Sequence, residues 1–88
     1  FNLAGAVIYT SCEPCPMCLA SIYWARLDQV YYANTRYDAA RIGFDDKFLY
    51  DEIAKDIKDR SMEMVHLPDD VAKTAFDEWD AKEDKIAY

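Results

Sequence analysis

The chain has 88 residues, 52% of them apolar and 15% aromatic, which suffices for one small domain and excludes a disordered one. Its net charge of -7 argues against affinity for a phosphate backbone and favours a small neutral substrate over a polynucleotide. No apolar run approaches the ~20 residues of a membrane span, and no charged start with an apolar stretch marks a secretory leader. All three cysteines lie between Cys12 and Cys18. That odd, close set reads as metal ligation in a reducing compartment, so the expected setting is cytoplasmic.

Residues 6–10 form a continuous β-branched and apolar run, which predicts a strand buried on both faces. A turn over 11–14 leads to a helix over 15–26, with Cys18, Ile22 and Ala25 in one stripe and Leu19, Tyr23 and Arg26 beside it. Pro16 falls near the first helical position, where a missing N–H costs little. Residues 29–33 are a second β-rich run. Strand, helix and strand with short connections predict a βαβ unit with parallel strands and a right-handed crossover. A loop over 34–37 precedes one or two helical turns over 38–42, stopped by Gly43 at a left-handed cap. The next expected helix covers 47–54, with Phe48 and Ile53 on its apolar side and Asp45 or Asp46 as N-cap.

Residues 56–60 are charged and without period, an exposed link, and 62–67 read as a short edge strand or as irregular. Pro68, Asp69 and Asp70 open a last helix, from Val71 to about Lys82, whose apolar face is Val71, Ala72, Ala75, Phe76 and Trp79. A polar tail ends at Tyr88. Asp77, Glu78, Asp80, Glu83 and Asp84 read as a solvated face. Two strands with three or four helices do not close a layered fold. The expectation is therefore the C-terminal portion of a larger domain.

Cys15 and Cys18 are three apart at a helix start, so both sulfurs share a face and can meet one metal. Helix-start amides favour the thiolate that binds it. A catalytic zinc takes three protein ligands and a water. Cys12 lies ahead of the helix that carries the other two cysteines, and the only histidine, His66, is far along the chain. The other readings of the pair are buried unliganded thiols or a structural zinc. An iron–sulfur cluster needs a fourth cysteine that the chain lacks. Cys12 reads as a packed thiol, and His66 as an exposed or edge residue.

The run Pro14-Cys15-Pro16-Met17-Cys18 resembles the P-C-x-x-C half of the zinc-dependent nucleobase and cytidine deaminase signature. Thr10 to Cys18, with Ile22-Tyr23-Trp24-Ala25-Arg26 after it, looks like the branch of bacterial guanine deaminases and tRNA adenosine deaminases. Asp38-Ala39-Ala40, Gly43-Phe44-Asp45-Asp46 and the terminal Tyr88 look most like guanine deaminase. The likeness runs over 6–88. It implies an α/β, three-layer αβα, cytidine-deaminase-like fold and Zn²⁺ held by Cys15 and Cys18. The reaction it implies is hydrolysis of guanine to xanthine and ammonia. Asp46 would shuttle protons and touch substrate, Trp24 would wall the purine, and Tyr88 of a partner subunit would cover it. A homodimer exchanging its C-terminal segment, about 68–88, is implied as well.

The family's H-x-E motif, which supplies a histidine ligand and the main proton-carrying glutamate, is absent from the 88 residues. The resemblance therefore implies an upstream segment, without which this portion is inactive. The rival within the family is deamination of adenosine or cytidine, on tRNA or as the nucleoside. The rival of another class is a non-catalytic, zinc-stabilised interaction module.

Overall fold

The computed structural model describes residues 2–86. Its elements are β1 (Val7–Cys12), α1 (Pro16–Trp24), β2 (Gln29–Asn34), α2 (Arg36–Arg41), α3 (Asp46–Ala54), a 3₁₀ turn (Ile57–Asp59) and α4 (Asp70–Ala81). β1 and β2 pair in parallel, from Val7 opposite Gln29 to Cys12 opposite Asn34. The βαβ unit is as expected. Each strand runs slightly further than its apolar run, because the ladder continues through polar residues; Glu13 N–H still donates to the Asn34 carbonyl at 2.7 Å.

Period-two geometry divides the sheet. Ile8, Thr10 and Cys12 are half-buried, whereas Val7, Tyr9 and Ser11 are exposed. The expected strand buried on both faces is therefore not what forms. The bare face carries Tyr9, 75% exposed, stacked on Tyr31 with ring centroids 4.9 Å apart. The other face meets the helices: Val30 lines a groove with Leu19 and Ile22 of α1. Among the described residues only Ile22 and Ala39 are buried apolar residues, at 9% and 5% exposure.

α1 starts with Cys15 as N-cap and Pro16 at its first position. It ends earlier than the stripe suggests, because Arg26 turns left-handed at φ 63°. The turn is anchored by Leu3 N–H on the Ala25 carbonyl at 2.7 Å and Asp28 N–H on the Ala6 carbonyl at 2.9 Å. α2 begins before the expected start, inside the expected loop. Thr35 and Asp38 form a reciprocal capping box that draws Arg36 and Tyr37 into the helix. Gly43 closes it as expected, with φ 96°. Its N–H donates to the Ala40 carbonyl and that of Phe44 to the Ala39 carbonyl, the paired bonds of a Schellman end.

α3 departs from its expected orientation. Phe48 and Ile53 are both more than half exposed, and Tyr50 turns inward, its hydroxyl donating to the Pro14 carbonyl. That bond, with the contacts of α3 on α1 and α2, outweighs the apolar pattern. Asp45 is the N-cap, without a side-chain cap bond. The expected link over 56–60 contains the 3₁₀ turn. It is tied back by Arg60, whose Nε donates to the Glu52 carbonyl at 3.1 Å and Nη2 to the Ile53 carbonyl at 3.2 Å. Residues 62–69 form no strand, so the irregular alternative holds there.

α4 is capped by Asp69, whose Oδ1 accepts from Val71 N–H at 2.8 Å. Every residue of α4 is exposed, and the acidic face expected there is indeed solvated. The radius of gyration, 17.8 Å, exceeds the ~12 Å of a compact chain of this length. Among the described residues no helix is long and apolar enough to cross a membrane.

Candidate metal centre

The turn between β1 and α1 delivers Cys15 to the N-cap and leaves Cys18 one turn in. Cys15 is half-buried and Cys18 exposed. No side chain makes a formal cap bond at this end. The first-turn amides still act on the Cys15 sulfur. The Cys18 N–H, then the Cys18 thiol, hold the Cys15 thiol below the usual cysteine range, against the opposing effects of burial and the Asp46 charge. The Cys15 sulfur in turn raises Cys18 above that range. The two thiols are thus close enough to act on each other, and the helix start favours the Cys15 thiolate.

Asp46 stands close enough for its charge to act on Cys15, Cys18 and Tyr50. Asp45 occupies the N-cap position, so Asp46 is not needed there. Asp46 also borders a cavity of about 320 Å³, shared with Cys12, Asn34, Asp38, Ala39 and Phe44. That volume is within the range of small-ligand pockets, from about 300 Å³.

The remaining expected residues are placed less centrally. The Cys12 thiol points to the Thr35 carbonyl at 3.9 Å, as a packed thiol does. Trp24 ends α1, roughly 9 Å along the helix axis from Cys18 at 1.5 Å per residue. His66 lies in the exposed link before α4. Tyr88 lies outside the described residues. Among the described residues no group of three or more His, Cys, Asp or Glu is placed to hold a metal. The donor set is two thiols at a helix start. Its chemistry fits a soft, four-coordinate ion such as zinc, of whose ligands it would supply half.

Three residues outside that expected set matter to the geometry: Glu13, Arg36 and Tyr50. Glu13 accepts from Arg36 three times, and the Arg36 guanidinium lies 3.6 Å from the Tyr50 ring centroid. The Arg36 side chain, by hydrogen bonding first, holds the Glu13 carboxyl below the usual carboxylate range. No local pattern signals this pairing. It follows only from the strand register, which also joins Asn34 to Ser11.

Comparison with known proteins agrees with the fold and with the cysteine motif. Residues 1–34 match the cytidine and deoxycytidylate deaminase zinc-binding region. Residues 1–34 are therefore similar to that zinc-binding region, and the fold is that of part of a cytidine-deaminase-like domain. It is 53% identical over 62 residues to a guanine deaminase of Bacillus subtilis (strain 168), covering 70% of this chain and 40% of that protein. It also superposes on the X-ray structure of guanine deaminase from Bacillus subtilis with a TM-score of 0.79 and 45% identity. That match covers 92% of this chain and 52% of the other. The chain thus spans about half the length, or less, of the relatives it matches.

Proposed function

We propose that this chain is the P-C-x-x-C portion of a zinc-dependent deaminase that hydrolyses guanine to xanthine and ammonia. The observation that carries the reading is the placement of Cys15 at the N-cap of α1 and Cys18 one turn into it, in a chain similar to guanine deaminase. Cys15 and Cys18 would hold the zinc. When bound there, zinc would supply Lewis acidity for the attack of water on the amine-bearing ring carbon. Asp46 would take a proton and return it to the departing amine, which leaves readily only when protonated. Trp24 would wall the purine. The remaining ligand, a histidine, and the main proton-carrying glutamate would come from outside these 88 residues. The net charge of -7 supports a small neutral substrate over tRNA.

The same reading includes a homodimer in which the segment over about 68–88 is exchanged and Tyr88 covers the partner's substrate. Its support is the apolar side of α4, where Val71 and Phe76 are each 79% exposed. The test is release of ammonia and xanthine from guanine by the complete, zinc-loaded protein. Equal yields of both support the reading. Full zinc occupancy without turnover of guanine overturns it; ammonia from adenosine or cytidine then favours the other deaminase reading, and none from any of them favours a zinc-stabilised module.

A further inference from the structure

Side chains from α2 and α3 hold the two residues that lead into Cys15. Glu13 and Pro14 are the last residues of the turn after β1. Arg36, the first residue of α2, grips Glu13 three ways. Its backbone N–H donates to Oε1 at 2.8 Å, and Nε and Nη2 donate to Oε2 at 3.0 and 2.6 Å. The same guanidinium lies over the Tyr50 ring. The Tyr50 hydroxyl donates to the Pro14 carbonyl. The contacts close a ring: Glu13 to Arg36, Arg36 to Tyr50, Tyr50 to Pro14, and Pro14 back to Glu13 through the chain.

This ring is shielded without being buried; the Arg36 and Glu13 side chains are 31% and 16% exposed. Both residues before Cys15 are thereby fixed, one by its carboxylate and one by its carbonyl. Tyr50 also lies one turn beyond Asp46 on α3. The hydroxyl that fixes Pro14 therefore ties the helix that carries Asp46 to the residue before Cys15.

We propose that Glu13, Arg36 and Tyr50 are positioning residues for the metal centre. They set the approach of the Cys15 sulfur to the ion and the spacing of Asp46 from it. The proposal rests on the zinc reading above. A ring that merely stabilised the fold would affect melting and leave the metal alone. A positioning ring changes the metal's affinity and its ligand field.

The test uses the complete protein with Tyr50→Phe, which removes one oxygen, and Arg36→Lys, which keeps the charge and loses the fork and the stacking. Glu13→Gln serves if either variant fails to fold. Zinc affinity is read by competition with a chromophoric chelator, and ligand geometry by the absorption of the cobalt(II)-substituted protein. Tyr50→Phe and Arg36→Lys are each expected to weaken zinc about tenfold, the lower end for loss of an outer partner of a ligand. Each is expected to shift the thiolate-to-cobalt band. The double variant is expected to be no worse than Arg36→Lys alone, because the two residues act through one ring. Affinities within about twofold of the parent, with an unchanged cobalt band, overturn the proposal whatever the melting temperature. Cys15→Ala is the control. Loss of zinc there with none in the ring variants removes the positioning role alone. Retention of zinc there removes the zinc reading and the positioning role with it.

Discussion

Cys15 follows the turn after β1 and is the N-cap of α1, so its sulfur lies beside the first-turn amides. Asp46 reaches the same place from α3. Asp46→Asn keeps the shape and removes the carboxylate that the proposed reaction would use as proton carrier. On that proposal it is expected to lower turnover of guanine by the complete protein about 10²–10⁴-fold, the usual worth of a positioned acid–base group. Zinc content should be unchanged; equal turnover would assign Asp46 to structure only. A second carboxylate, Glu52, is informative about stability. The Lys55 ammonium, then the Ser61 N–H, pull its pKa from the ordinary 4.5 to about 2. A folded pKa below the unfolded one stabilises above the unfolded value and is lost as pH falls through the folded one. Glu52 should therefore steepen the loss of stability between about pH 4.5 and 2. Glu52→Gln should flatten that part of a pH series of melting temperatures, and an unchanged slope would contradict it.

The capping devices of α2 fix where Asp38 and the turn toward Asp46 lie. Thr35→Ala removes the capping box and is expected to cost about 1 kcal/mol. Gly43→Ala meets no atom within 4 Å of the new Cβ, so its cost is backbone strain at φ 96° alone, about 1–2 kcal/mol. Urea denaturation reads both; a neutral result at Gly43 would show that the turn relaxes. The β1–α1–β2 unit, the Gly43 stop and the cysteine pair were legible in the sequence because each depends on local spacing. The capping box was legible in principle, since Thr35-x-x-Asp38 has the required pattern. The orientation of α3 was not, because a single hydroxyl on Pro14 overrides the apolar pattern of Phe48 and Ile53. Nor was the Glu13–Arg36 pair, which only the parallel register brings together.

At the scale of the molecule, the described residues expose two apolar surfaces: the Tyr9–Tyr31 face of the sheet and the apolar side of α4. Helices meet one face of the sheet, so the third layer of an αβα arrangement is not formed among the described residues. If α4 crosses to a second subunit, Phe76→Asp should shift the complete protein from dimer to monomer in sedimentation velocity. A dimer that survives the substitution would place the interface elsewhere.

The most direct measurement is X-ray absorption at the zinc edge of the complete protein. Two sulfur scatterers at about 2.3 Å with a nitrogen or oxygen shell near 2.0–2.1 Å are expected for a centre held by Cys15, Cys18 and one imidazole. A shell without sulfur, or one of four sulfurs, would contradict it.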